Sequence, residues 1–337
     1  MALTRSWGPG LFRAVVCELC PKGCVLAPGE RGDCRIRVNL DGELVALTYG
    51  LPSAVHLDPV EKKPLNHFRP GQPILSVATA GCNLHCRNCQ NWTLSQANPE
   101  ELDNVRLPPE DLVALAKRYR APMVAFTYSE PLVFYEYTLE GSERARAAGL
   151  DTVLVTAGYA NPGPLRRLYR VTSAANIDLK AFSDRFYRRV CDATLKPVLD
   201  ALVIAKEEGV WLEVTHLVVP TLNDDPRMFR KLARWMRANL GPDTPLHISR
   251  FHPRYKLRNL PPTPRETLEA FADLAQEEGI RYVYVGNVLG TGRQNTVCPS
   301  CGALLVERRG YVVRRNRLRG APGRCPDCGT EIPGVWL

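Results

Sequence analysis

Hydrophobic and polar positions change their period along this chain, and the change marks out its parts. From Pro73 onward, short runs of aliphatic and β-branched residues alternate with longer amphipathic stretches. The runs predict strands at Ile74–Thr79, Met123–Tyr128, Thr152–Thr156, Ala175–Leu179, Trp211–Val219, Leu246–Phe251 and Tyr282–Val285. The stretches between them predict helices at Pro109–Tyr119, Tyr137–Ala148, Pro162–Tyr169, Pro197–Glu208, Pro226–Asn239 and Pro264–Glu278. Several open on a proline in the first turn and close at a glycine. Strands joined by single-helix crossovers build a parallel sheet with helices outside it. Six or seven such units in about 215 residues predict an α/β fold, a full or partial (β/α) barrel, with chemistry at the C-terminal ends of the strands.

The flanks read differently. Residues 1–73 begin cysteine-rich, carry a β-like segment at Leu44–Leu47 after the Asp41-Gly42 turn signal, and end in a stretch rich in Pro and Gly near Pro70-Gly71. They predict an N-terminal attachment, followed by a barrel over 74–290 and a small domain over 291–337. Apolar residues make up 45% and charged residues 23%, enough to bury a substantial core. No stretch approaches the roughly 20 apolar residues of a bilayer span, and residues 1–17 hold no continuous apolar run of a secretion signal. A soluble, cytoplasmic protein is expected.

Charge changes the picture in one place. The formal net charge is +9, and residues 291–337 carry eight arginines against Glu307, Asp327 and Glu331, a local excess of +5. That excess reads either as a solvated face or as a surface for an acidic partner or nucleic acid.

Cysteine usage points to chemistry. Eleven of twelve cysteines fall into three tight groups, and Cys191 stands alone. A chain with so large a core does not need disulfide staples. Thiols two and three residues apart converge on metals, which implies a reducing compartment.

The central group is Gly81-Cys82-Asn83-Leu84-His85-Cys86-Arg87-Asn88-Cys89-Gln90-Asn91-Trp92, directly after the first barrel strand. Three cysteines with no fourth nearby fit a [4Fe-4S] cluster with one iron left open. An open iron can bind the methionine end of S-adenosylmethionine (SAM) and pass an electron to its sulfonium, giving methionine and a 5′-deoxyadenosyl radical. The competing reading, a zinc knuckle completed by His85, leaves the strand–helix alternation that follows without a purpose. Polar residues at other strand ends are candidate SAM contacts: Glu130, Asp178, Lys180, His216, Arg250, His252 and Asn287. Cys191 reads as a core residue or as a thiol close to the radical.

The other two groups are complete quartets. Cys17, Cys20, Cys24 and Cys34 could bind zinc or an auxiliary [4Fe-4S] cluster, and spacing does not choose between them. Cys298-Pro299-Ser300-Cys301-Gly302 and Cys325-Pro326-Asp327-Cys328-Gly329 read as the two knuckles of a zinc ribbon, with Leu304–Glu307 and Gly310–Val313 as its paired strands.

Nearly the whole chain resembles the radical SAM member of the three-component AmmeMemoRadiSam system, a group similar to pyruvate formate-lyase activating enzymes. The resemblance rests on Asp58 through Leu65, Gly81 through Trp92, Tyr128-Ser129-Glu130-Pro131, Ala175 through Lys180, His247 through Pro253, Tyr282 through Asn287 and both cysteine knuckles. It implies a partial (β/α)6 TIM-like barrel, one [4Fe-4S] cluster, SAM as cofactor or cosubstrate, and association with an AMMECR-type and a Memo-type protein. A flavodoxin or ferredoxin is the generic electron donor for such a cluster. Two positions depart from relatives: Asn88 stands where an aromatic residue often precedes the third cluster cysteine, and Ser129 where Asn is frequent. Two alternatives remain at this level. One is an activase for a glycyl-radical enzyme; the other is a metal-stabilised nucleic-acid-binding module.

Overall fold

The structure, a computed structural model, describes residues 4–6, 14–288, 290–320 and 323–336. Most of the opening segment read above for a secretion signal lies outside the described residues. At the centre is an eight-stranded sheet: β1 (Ala54–Pro59), β2 (Pro73–Ala78), β3 (Met123–Phe126), β4 (Asp151–Thr156), β5 (Ala174–Asp178), β6 (Trp211–Val218), β7 (Leu246–Arg250) and β8 (Val283–Gly286). Strands β2 to β8 are parallel and lie in sequence order, while β1 runs antiparallel along β2 at one edge. Among the described residues no ladder joins β1 to β8, so the sheet is open. One principal helix covers each crossover: α1 (Pro109–Arg118), α2 (Tyr135–Ala147), α3 (Pro162–Tyr169), α4 (Leu195–Glu207), α5 (Pro226–Leu240) and α6 (Arg265–Glu277).

All seven predicted strands and six predicted helices are present with ends shifted by two residues or fewer. Several short elements escaped the reading, among them Val15–Cys17, Arg37–Leu40 and Trp92–Ser95, and two more bear on the frame of the sheet and the thiol loop. Strand β1 carries exposed His56 and Leu57 and ends on Pro59, so its alternation is weak, as edge strands permit. The chain at Tyr187–Cys191 forms a π-helical turn that ends at Asp192 in the left-handed region (φ 55°), a feature without a hydrophobic period to announce it.

Period-two alternation gives the sheet two different faces. Leu75, Val77, Val124, Phe126, Leu154, Ile177, Leu212 and Val214 join the large core beneath the helices. The opposite face starts apolar at Ile74, Met123, Val153 and Ala174, covered by Val60, Leu65 and Phe68. Toward the strand C-termini it turns polar, with Thr127, Thr215, His247 and Ser249.

The flanking segments are fixed to that polar face by a buried carboxylate. Glu213 on β6 is fully buried and accepts hydrogen bonds from the Asn66 (2.9 Å) and His67 (2.7 Å) backbone N–H groups and from Trp211 Nε1 (3.1 Å). His247 Nε2 lies 2.6 Å from its other side. Burial works to raise the Glu213 pKa, but these contacts, His247 first, hold it below its ordinary value. His67 in turn bonds the Pro333 carbonyl (2.7 Å) and the Tyr284 hydroxyl (2.6 Å), and stacks among Trp211, Tyr282 and Trp336.

The N-terminal segment presses just as closely on the loop after β2. Gly81 has φ +87°, and a Cβ there would lie 2.4 Å from the Cys34 carbonyl oxygen and 2.7 Å from Ile36 Cγ2. Gly81→Ala must move backbone, so we expect a loss of about 2–4 kcal/mol in urea unfolding; a loss within about 0.5 kcal/mol would show that this contact is loose.

Burial pushes the His67 imidazole down to about 4, against about 6.5 for an unfolded histidine. Between those values the unfolded chain holds the extra proton, so stability rises with pH across that window and is lost as pH falls through it. From this ring alone, unfolding free energy should drop by on the order of 2–3 kcal/mol between about pH 7 and about pH 4.5. His67→Gln, though less stable at neutral pH, should show a shallower slope in urea titrations at both ends of that range.

Candidate functional site

A cavity of about 620 Å³ opens at the C-terminal ends of β2 to β8, a size ordinary for a cofactor or small-molecule site. Each strand contributes by its last inward residue or the loop after it. Cys82, Cys86 and Cys89 line the cavity from the loop following β2. That loop is anchored at its middle: His85 N–H donates to the Cys191 carbonyl (2.9 Å) and Arg87 N–H to the Val190 carbonyl (2.8 Å). The π-helical turn therefore holds the thiol-bearing loop in place. Leu84 N–H points at Cys82 Sγ (3.3 Å), and the Ser95 hydroxyl lies 3.2 Å from Cys89 Sγ. A hydrogen bond from Cys191 pulls the Cys86 thiol down to about 7; burial opposes this and nearby Lys180 assists.

Of the predicted contacts, Glu130, Asp178, Lys180 and Asn287 also line the cavity. Glu130 is fully buried and braces the frame: it accepts from Leu132 N–H (3.1 Å), the Thr156 hydroxyl (2.5 Å) and Ala157 N–H (2.8 Å). Burial raises its pKa, with these hydrogen bonds pulling the other way. Lys180 donates to Asp178 (2.8 Å). Burial disfavours its charge, but Asp178 and the Cys86 and Cys191 thiols more than offset that, so its pKa stands well above the usual value. Asn287, in the left-handed region, donates to the Ser249 hydroxyl (2.8 Å).

Three predicted contacts are not part of this surface. His216 faces the opposite side of the sheet, because its neighbours Thr215 and Leu217 face the cavity and side chains alternate. Its ring is fully buried 5.5 Å from Phe229 of α5, its Nδ1 bonds the Leu179 carbonyl (2.9 Å), and burial lowers its pKa to about 4. It is a core histidine. Arg250 turns away to donate to the Thr263 carbonyl (2.9 Å), tying the loop before α6, and His252, beyond the strand end, does not line the cavity either.

Other residues reach the site unannounced. Asn88 and Ser129, the two departures, line the cavity, and their side-chain oxygens are buried without a hydrogen-bond partner. Behind the cavity lining, Lys63 is buried, donates to Asp58 (2.7 Å) and lies 4.3 Å from the centroid of the ring of Tyr128, which does line it. Burial lowers the Lys63 pKa to about 8 against the pull of Asp58, while the hydroxyl of Tyr128 bonds the same carboxylate. Arg308 comes from the C-terminal hairpin yet lines the cavity. It donates to the Asn66 carbonyl (2.7 Å) and the Thr296 hydroxyl (2.9 Å), and faces buried Glu61 at 3.6 Å. The only sequence signal for the Asp58–Lys63 group was its place in the recurring Asp58–Leu65 passage; Arg308 gave none.

The C-terminal cysteines come together. The thiols of Cys298, Cys301, Cys325 and Cys328 lie within 4.8 Å of one another, with Cys298 to Cys328 at 3.5 Å and Cys301 to Cys325 at 3.7 Å, so the group could hold a metal ion. Its hairpin pairs Leu304–Arg309 with Val312–Asn316. The local excess of arginine is partly spent internally: Arg308 is buried, Arg293 pairs with Asp273 and Arg317 with Asp327. Among the described residues no helix is long and apolar enough to cross a membrane.

Comparison with known proteins agrees with this geometry. The Radical SAM superfamily profile matches residues 76–236. An uncharacterized protein of Methanocaldococcus jannaschii is 46% identical over 318 residues, covering 94% of this chain and 95% of that one. A pyruvate formate-lyase-activating enzyme of Clostridium pasteurianum is 28% identical over 160 residues, 45% of this chain and 65% of the enzyme. In fold, the chain is similar to a radical SAM methyltransferase from Sphaerobacter thermophilus (TM-score 0.51, 16% identity, 70% of this chain and 71% of that one). Membership implies a [4Fe-4S] cluster and SAM. The chain is an enzyme of the radical SAM superfamily, related to the pyruvate formate-lyase activating enzymes.

Proposed function

We propose that this protein cleaves SAM reductively and directs the resulting 5′-deoxyadenosyl radical at a substrate within a three-component system of the AmmeMemoRadiSam type. The observation that carries the chemistry is the convergence of three thiols, the Asp178–Lys180 pair and two unpartnered buried oxygens on one cavity at the strand ends. We read the open sheet as a partial (β/α)6 barrel and the C-terminal module as a zinc ribbon.

In this reading Cys82, Cys86 and Cys89 hold the [4Fe-4S] cluster. When bound, the cluster supplies the electron that splits SAM into methionine and the 5′-deoxyadenosyl radical. The chain positions the reactants. The buried oxygens of Asn88 and Ser129 are acceptors for the methionine ammonium, and Asp178 and Lys180 take the ribose and carboxylate. Glu130, already satisfied by three donors, keeps the ends of β3 and β4 in register. Lys180 also offsets the negative charge that three thiolates bring to the loop. Arg308, Lys62 and Tyr311 also line the cavity, where a substrate with anionic groups would be received.

The three-component reading draws on the extent of the relatives. The Methanocaldococcus protein spans the chain, whereas the Clostridium activating enzyme matches 45% of it. AMMECR-type and Memo-type partners, a flavodoxin or ferredoxin donor, and a cytoplasmic setting that keeps the thiols reduced belong to the same proposal. An activase for a glycyl-radical enzyme is the second reading, favoured by the Clostridium similarity.

After anaerobic reconstitution, dithionite and SAM should yield 5′-deoxyadenosine from the wild-type chain, measured by liquid chromatography. Cys86→Ala should abolish it and His216→Gln should leave it within a few-fold. Continued formation in Cys86→Ala would sink the assignment. Lys180→Met should raise the KM for SAM by roughly 10- to 100-fold, the loss of one or two charge-assisted hydrogen bonds; an unchanged KM removes Lys180 from the SAM site.

A further inference from the structure

Cys17, Cys20 and Cys34 are buried and Cys24 is half-buried, all four in the N-terminal segment. Short backbone ties draw the four together, with Cys17 N–H bonding the Cys24 carbonyl (2.9 Å) and Gly23 N–H the Cys20 carbonyl (3.1 Å), and the thiols act electrostatically on one another. Gly32 closes the ring, for a Cβ there would stand 3.7 Å from Cys24 Sγ and 3.8 Å from Cys34 Sγ. The thiols are neighbours, but they are not drawn in as tightly as the C-terminal quartet.

A tetrahedral zinc ion with bonds of about 2.3 Å sets its sulfurs about 3.8 Å apart. The C-terminal thiols meet that spacing. Among the described residues, no three thiols of the N-terminal quartet fall within 4.8 Å of one another, and neither do Cys82, Cys86 and Cys89. A cubane accounts for the wider ring, because each cysteine binds a different corner iron.

A second observation shows that the quartet is built to hold a charged centre. Arg37 is 2% exposed and held by Glu136 through two hydrogen bonds of 2.8 Å. Its Nε is buried with no hydrogen-bond partner, and its charge acts on Cys17 and Cys34. A buried guanidinium with an unfilled donor suits a centre of four thiolates, whose net charge is negative with either zinc or a cubane, so it supports a bound centre while the thiol spacing selects the cubane.

The quartet also backs directly onto the loop that bears Cys82, Cys86 and Cys89. Gly81 packs on the Cys34 carbonyl, the Asn83 side chain reaches the Cys20 thiol, and His85 pairs with Asp33 at 2.9 Å. Each contact joins a residue at or beside one thiol of the quartet to a residue beside Cys82 or Cys86.

We infer that Cys17, Cys20, Cys24 and Cys34 hold a second [4Fe-4S] cluster, closed by four protein ligands, that buttresses the Cys82–Cys89 loop from behind. The inference rests on thiols separate from those of the proposed SAM site, so its test can succeed or fail independently. The full chain carrying Cys82→Ala, Cys86→Ala and Cys89→Ala is reconstituted anaerobically with iron and sulfide. It should retain about four irons and four sulfides per chain, with an electron paramagnetic resonance signal after dithionite. Adding Cys20→Ala and Cys24→Ala should bring iron to background. A triple variant that holds no iron and about two zinc ions per chain would overturn the inference. Should the triple variant fail to fold, Cys20→Ala with Cys24→Ala in the otherwise intact chain decides: iron falls from about eight to about four per chain if the quartet binds a cluster, whereas a wild-type chain that takes up only about four irons overturns the inference.

Discussion

The buried carboxylate of Glu213 is the constraint on which the site's construction depends. A charge in the interior is tolerated only when its hydrogen-bonding capacity is filled, and the groups that fill this one belong to separate stretches of chain. Two are backbone N–H groups of Asn66 and His67, one is the Trp211 indole on its own strand, and one is His247 on the next strand. With the 66–67 backbone pinned, His67 can reach the Pro333 carbonyl and the Tyr284 hydroxyl, and the Asn66 carbonyl can accept from Arg308. The N-terminal segment, the sheet and the C-terminal module are thus registered against one another through a single residue. Losing that carboxylate would leave several donors unpaired together, a cost on the order of 3–5 kcal/mol, comparable with breaking a buried ion pair.

The same arrangement explains why the cavity lies where it does. The inward face of the sheet is apolar at its N-terminal end, where Val60, Leu65 and Phe68 plug it. Past Glu213 the inward face mixes polar Thr215, His247 and Ser249 with Leu217 and the plug ends, so space remains at the strand C-termini. Parallel strands deliver all their following loops to that end. The π-helical turn adds a restraint that the sheet cannot supply, holding the His85 and Arg87 amides and so the spacing of the flanking thiols.

Much of this was legible in the sequence because the signals were periodic or covalently local. Strands β2 to β8 and their helices follow from hydrophobic period, and the thiol loop follows from spacing directly after a strand. The residues misjudged show where such signals stop. His216 sits at a strand's polar position, but period two fixes only relative facing; which parity points inward depends on Thr215 and Leu217 meeting the cavity. Arg250 is at a strand end, as expected, yet its side chain finds a carbonyl in the following loop. Arg308 lies far along the chain from Asp58 and Lys63, and its burial depends on tertiary packing, so no local pattern marks it as cavity wall.

Arg308 carries the wider lesson about the C-terminal module. Counted along the chain, it belongs to a basic stretch that suggests an outward-facing surface. In space its side chain is buried against Glu61, Asn66 and Thr296, and it forms cavity wall. A buried guanidinium held by three acceptors and facing a carboxylate cannot swing out to meet a partner without leaving Glu61 uncompensated. Gln294 and Tyr311 enter the same wall from the same module. The four C-terminal thiols lie beside the hairpin from which Arg308 projects, so an ion held there would act on the shape of the cavity as well as on the stability of its own module.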